Sequence, residues 1–159
     1  MKKILIDGNN LIHSDPHLRS LFKDDKEAAA NIIVQKIVNF LINSKNEATI
    51  FFDGINYSRS FSSVSPNVYV KYAKNKTADD AIRIAIEQEN NKSKLIVVSS
   101  DSEHITNFAK KCGCEIWSSN DFLKRINKNN KTTNPKFEGK ISEEEIEYFK
   151  NIFSQSQSD

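Results

Sequence analysis

Four short apolar or β-rich runs in this chain each lead into acidic residues, and that pattern narrows the folds open to it. Ile4-Leu5-Ile6 runs into Asp7, Ile50-Phe51-Phe52 into Asp53, and Leu95-Ile96-Val97-Val98 through two serines into Asp101. Tyr69-Val70-Lys71-Tyr72 leads through a polar loop to Asp79-Asp80. Stretches of helical spacing lie between the runs; in one of them Ala28, Ile32, Ile33, Ile37, Phe40 and Leu41 keep a three-to-four residue rhythm. Alternation of this kind predicts a three-layer α/β/α domain with a mostly parallel central sheet. Parallel strands would gather the acids at one carboxyl edge, where open α/β sheets place their ligands. Two bare charges about 4 Å apart repel by roughly 4 kcal/mol at an effective dielectric near 20. The cluster therefore calls for a divalent cation, and all-oxygen ligands select Mg²⁺ or Mn²⁺ over zinc.

The chain has 159 residues and a net charge of only +2, so one soluble domain is expected and no overall nucleic-acid charge signature is present. Charge is unevenly placed, however. From Lys124 to Lys140 the chain is rich in Lys, Arg and Asn and has a single acid, Glu138. The two cysteines, Cys112 and Cys114, flank Gly113, and no further Cys or His pair completes a tetrahedral zinc set. They read as ordinary thiols of a reducing cytoplasm. The first apolar run is too short for a signal peptide and no stretch reaches membrane-span length, so no membrane partner is expected.

Strands are expected at about 3–7, 48–52, 67–72, 95–99 and 114–117, the third of them at an edge. Helices are expected at about 26–44, 78–91, 102–111 and 120–127, with loops over 8–24 and 54–67. Residues 1–126 read as the body of the domain. Residues 127–159 read as a basic linker with Pro135 and Gly139, followed by an appended helix opened by Ser142-Glu143-Glu144-Glu145. Its stripe of Ile146, Phe149, Ile152 and Phe153 must dock on the domain or form a homodimer face.

Each acidic motif also has a purely structural explanation. Asp7-Gly8-Asn9-Asn10 and Asp53-Gly54 are good turn formers. Thr77 and Asp80 could make a capping box, and Asp79 could pair with Arg83 one turn on. Ser100 and Glu103 could make another box. The functional reading makes Asp7, Asp79, Asp80 and Asp101 metal ligands, with Asp53 a further ligand or a turn residue. Asn9, Asn10, Ser99 and Ser100 would orient a carboxylate or a phosphate. The joint order of acids, more than any single motif, favours the functional reading.

Ile6-Asp7-Gly8-Asn9-Asn10-Leu11, Phe52-Asp53-Gly54, Thr77-Ala78-Asp79-Asp80 and Ser99-Ser100-Asp101 resemble, in order and spacing, the NYN-domain proteins of the PIN-like nuclease superfamily, and above all its YacP-like branch. The resemblance covers about residues 1–126. It implies a PIN-like fold and a metal-dependent endoribonuclease, with Asp7, Asp79, Asp80 and Asp101 as the catalytic, metal-binding acids. Asp80 departs from the Glu of several relatives, and its shorter side chain could hold the metal through water.

A nuclease of this kind uses a metal-activated water that attacks in line and leaves a 5′-phosphate. An acidic site repels phosphate, so RNA binding must come from other residues. Arg59, Lys71, Lys74, Lys76, Arg83, Lys124 and Arg125 are the candidates, with Lys128 and Lys131 beyond them. Tyr57, Phe61, Tyr69 and Tyr72 are candidate stacking groups. The expected partner is RNA, free or presented by a larger ribonucleoprotein. The competing readings are a non-catalytic RNA-binding module and a DNA-directed, structure-specific nuclease. Five carboxylates facing phosphate argue against the first. The short chain lacks the helical additions of the second.

Overall fold

The computed structural model describes residues 1–53, 61–73, 76–133 and 146. Six strands form one sheet: β1 (Lys3–Asp7), β2 (Glu47–Asp53), β3 (Phe61–Ser65), β4 (Val68–Ala73), β5 (Leu95–Val98) and β6 (Glu115–Trp117). Their order is β3-β4-β2-β1-β5-β6, and every pairing is parallel except β3 with β4. The helices are α1 (Gly8–His13), α2 (Pro16–Asp24), α3 (Lys26–Leu41), α4 (Ala78–Gln88), α5 (Asn107–Lys111) and α6 (Ser119–Thr133).

Alternation along each strand divides the core into two layers. Ile4, Ile6, Ile50, Phe52, Val68, Val70, Ile96 and Val98 face the side packed by α1, α2, α3 and α6. Leu5, Phe51, Leu95 and Val97 face α4 and α5. The expected three-layer arrangement is therefore present. Asp7 keeps the parity of Leu5, and Asp53 that of Phe51, so strand pleating directs both acids toward the layer that holds α4.

Several elements depart from the sequence expectation. Residues 8–24 form two helices, not a loop. Asp7 caps α1 by accepting the Asn10 N–H, and Asp15 caps α2 by accepting from His17 and Leu18, with Pro16 at the first helical position. The residues that read as turn formers are helix starts. β4 is not an edge strand, because β3 pairs with it antiparallel and takes the edge. α3 ends three residues early, at Leu41. The helix after Asp101 begins as one π turn, Ser102–Thr106, in which the Thr106 N–H reaches back five residues to the Asp101 carbonyl. α6 continues to Thr133, so the expected boundary after residue 126 falls inside a helix. The capping segment at 142–145 and Phe149, Ile152 and Phe153 lie outside the described residues. Ile146 is buried in the main core cluster.

Gly8 is required for packing. A Cβ there would come within 2.4 Å of Cε1 of Phe52, a fully buried ring that stacks on Tyr72. Gly8→Ala should therefore cost about 1–3 kcal/mol through forced repacking. Denaturant unfolding of the variant at constant m-value checks this. An unchanged midpoint would show that Phe52 has room to move.

Candidate active site

The end of β1 is tied to its neighbours by two asparagines. Asn9 Oδ1 accepts the Asp53 N–H at 2.9 Å, which fixes the end of β2. Asn10 Oδ1 accepts the Ser100 N–H at 2.9 Å and the Ser119 hydroxyl at 2.5 Å, which fixes the segment after β5 and the start of α6. Ser119 also donates its own N–H to Ser100 Oγ at 3.0 Å. Four elements thus converge at the carboxyl edge through hydrogen bonds that carry no net charge.

The acids occupy distinct positions in this frame. Asp7 is only 5% exposed. Asp53 accepts the Ala78 N–H at 2.7 Å, so its carboxylate holds the first turn of α4 in place. Thr77 caps the same helix by accepting the Asp80 N–H at 3.2 Å. That turn presents Asp79 to Asp7, and the two carboxyls are hydrogen-bonded to each other. Asp80 is exposed, and its carboxylate has no partner among the described residues. Asp101 accepts the N–H groups of Glu103 and His104, both at 3.2 Å, and its own N–H donates to Ser99 Oγ at 3.1 Å. Asp101 and Asp53 lie near enough to raise the Asp79 pKa through their charge.

Burial dominates the electrostatics of the pair. Desolvation pushes Asp7 up to about 7, against the opposing hydrogen bond from Asn10, with Asp79 and Asp53 adding to the rise. Asp79 is also raised, chiefly by burial, and its hydrogen bond with Asp7 pulls the other way. Burial and the neighbouring acids thus favour the protonated form of Asp7, which can donate to Asp79. Among the described residues no lysine or arginine forms an ion pair with either acid; the only ion pairs are Lys2–Glu115 and Lys3–Glu89, at the opposite edge. No group of three or more His, Cys, Asp or Glu side chains among the described residues forms a finished metal cage. A Mg²⁺-type ion does not require one, since it keeps several waters and commonly takes one or two carboxylates together with a substrate phosphate. The Asp7–Asp79 carboxylate pair, with no lysine or arginine ion pair among the described residues, supplies oxygen donors that fit such an ion.

The expected RNA contacts divide into three groups. Lys71, Lys76, Lys124 and Arg125 are exposed. Arg125 lies over the Trp117 ring, 4.1 Å from its centroid. Arg83 does not pair with Asp79. Its guanidinium donates to the His104 carbonyl at 2.7 Å and lies over Phe108, which joins α4 to the π turn. Arg59, Lys74 and Tyr57 lie outside the described residues. Tyr72 packs on Phe52 against the core. Ser119, which sequence reasoning did not single out, is the added member of the site.

The YacP-like NYN domain model matches residues 4–159. The chain belongs to that family. It is a PIN-like nuclease family, and the match includes the segment beyond α6. Crystal structures of Rae1 (YacP) from Bacillus subtilis and of a point variant of it have the same fold. The first aligns with a TM-score of 0.69 at 23% identity over 86% of this chain and 79% of the other. The variant gives 0.68 at 23% identity over 85% and 80%. No curated protein sequence matches the chain. No described helix of this YacP-like protein is long and apolar enough to cross a membrane.

The raised Asp7 has a consequence for stability. An unfolded aspartate ionises near 3.8, so between 3.8 and about 7 the folded state keeps a proton that the unfolded state has lost. The stability this group contributes is complete at low pH and is lost as pH rises through about 7. In EDTA the melting temperature should fall across that window. Asp7→Asn should flatten the fall and stabilise the metal-free protein above neutrality by roughly 1–3 kcal/mol. Thermal melts of both proteins from acid to mildly alkaline pH check this, and parallel profiles would contradict the assignment.

Proposed function

We propose that the protein is a divalent-metal-dependent endoribonuclease that hydrolyses RNA phosphodiester bonds and leaves 5′-phosphate ends. The observation that carries this reading is the pair of the buried Asp7 and the half-buried Asp79, which forms no ion pair with a lysine or arginine among the described residues and lies at the carboxyl edge of a PIN-like sheet. Asp7 and Asp79 would hold Mg²⁺ or Mn²⁺ directly. Asp101 and Asp80 would act through bound water. Such an ion would neutralise the phosphate and lower the pKa of the attacking water.

The chain's own residues supply the rest. Asp53, held by Asn9 and bound to the start of α4, sets where Asp79 projects. It therefore acts as a support for the ligands, and Asp53→Asn, which retains the acceptor, should keep most activity. Lys71 and Lys76 on one flank and Lys124 and Arg125 on the other supply cations for the RNA backbone, with Arg59 and Lys74 as further contacts. Affinity of this type is salt-dependent and indifferent to sequence. Choice of site on the RNA would then come from how the substrate is presented, for instance within a ribonucleoprotein.

The test is cleavage of single-stranded RNA, structured RNA and DNA in Mg²⁺, Mn²⁺ or EDTA. Wild type should cut RNA only with metal, and Asp7→Asn and Asp101→Asn should lose at least about 100-fold in rate. Mg²⁺ should raise the melting temperature of wild type above neutral pH but not that of Asp7→Asn. Binding of RNA without cleavage under every condition would favour the non-catalytic RNA-binding reading. Cleavage confined to DNA would favour a DNA-directed nuclease.

A further inference from the structure

Ser119 is the first residue of α6 and is fully buried. Its hydroxyl donates to Asn10 Oδ1 at 2.5 Å, and the same oxygen accepts the Ser100 N–H at 2.9 Å. A backbone N–H can only donate, so the atom that faces it must be the amide oxygen and not the nitrogen. Both acceptor positions of that oxygen are therefore occupied by protein donors. The other arm of the amide, Nδ2, donates to nothing among the described residues. Asn10 is also next to Asp7, whose Oδ1 accepts the Asn10 N–H at 3.1 Å.

We propose that Ser119 is a positioning residue of the site, which together with Ser100 turns the Asn10 amide so that Nδ2 is offered as a hydrogen-bond donor to an anionic phosphate oxygen. This rests on the nuclease reading for the identity of the substrate. It excludes Asn10 Oδ1 as a metal ligand, because that oxygen is already saturated. An amide with a free rotor would divide its time between two orientations, and one of them would turn an oxygen lone pair toward a phosphate and repel it. The Ser100 N–H disfavours that second orientation, and the Ser119 hydroxyl adds a second bond against it before the substrate arrives. Ser100 Oγ accepts the Ser119 N–H, which holds the start of α6 and its hydroxyl beside Asn10.

The experiment compares wild type, Ser119→Ala, Ser119→Thr and Asn10→Asp in steady-state RNA cleavage and by NMR of the ¹⁵N-labelled side-chain amides. Ser119→Ala should lower kcat about tenfold with KM and the Mg²⁺ concentration for half-maximal rate little changed. Ser119→Thr, which keeps the hydroxyl, should recover most of that loss. Asn10→Asp keeps both acceptor bonds but loses the donor, so it should also cleave slowly while binding Mg²⁺ as well as wild type or better. Full activity in Asn10→Asp would show that the working atom is an oxygen, and unchanged kcat in Ser119→Ala would show that the amide needs no support. Either result overturns the proposal. If wild type cleaves no RNA, the nuclease reading fails, and the proposal is then judged by NMR alone. Addition of an RNA oligonucleotide to the metal-free protein should shift the Asn10 side-chain amide pair in wild type and not in Ser119→Ala, and an Asn10 pair that RNA leaves in place would overturn it.

Discussion

Burial of the Asp7 carboxyl against Asp79, with no lysine or arginine among the described residues in an ion pair with either, is the constraint around which the carboxyl edge is arranged. The pair is imposed by the fold. β1 is flanked by β2 and β5, so its last residue is enclosed on both sides, and the strand pleat turns that residue toward α4. α4 in turn is anchored at its first N–H by Asp53 and at its third residue by Thr77. Its N-terminal dipole offsets part of the local negative charge. Neither acid can move away without unpinning a helix start or a strand end. The raised pKa of Asp7 follows from that confinement.

The two asparagines show how the frame avoids adding to the problem it surrounds. Each uses its side-chain oxygen to accept a backbone N–H from a neighbouring strand end, Asp53 for Asn9 and Ser100 for Asn10. An aspartate would make the same bond and would bring one more negative charge to a place that already holds Asp7, Asp53, Asp79 and Asp101. Each amide thus joins elements without charge and leaves a donor at its other arm. Gly8 completes the arrangement by letting α1 begin directly against the Phe52 ring, which brings both asparagines within reach of β2 and β5.

The layers and the mostly parallel sheet were legible because buried parallel strands read as apolar runs, and because acids at strand ends stand out against them. Asp7, Asp79 and Asp101 could be assigned to one edge on that basis. Asp53 could not be resolved from sequence, since Asp-Gly after a strand is equally a turn, a ligand or, as found, an acceptor for a helix that begins 25 residues later. The helices over 8–24 were missed because Asp-Gly, Asn-Asn and Asp-Pro are turn signals and helix-start signals alike; only tertiary burial of Leu11, Ile12 and Leu18 decides between them. β3 was missed because Phe61-Ser62-Ser63-Val64-Ser65 has little apolar alternation, as suits an edge strand. Ser119 was missed because no acid directly follows β6 to mark that strand end as part of the cluster. A signal for it existed: Trp117-Ser118-Ser119 ends β6 at the same edge as the other strand ends, and an N-terminal serine is buried only when its hydroxyl has a partner.

Under the proposed function, the division of charge couples the two ligands. The edge is negative and its flanks are positive, so RNA approaching over Lys71, Lys76, Lys124 and Arg125 is drawn by the flanks and repelled by the centre. A cation bound between Asp7 and Asp79 removes the repulsion without altering the flanks. RNA and metal then bind with positive coupling, and by linkage each raises the affinity for the other by the same factor. The donor on Asn10 belongs to the same logic, because it is a polar arm beside Asp7 that attracts phosphate whether or not a cation is bound. The metal-free protein therefore binds RNA more weakly, and the affinity rises when the ion that supplies the chemistry is in place.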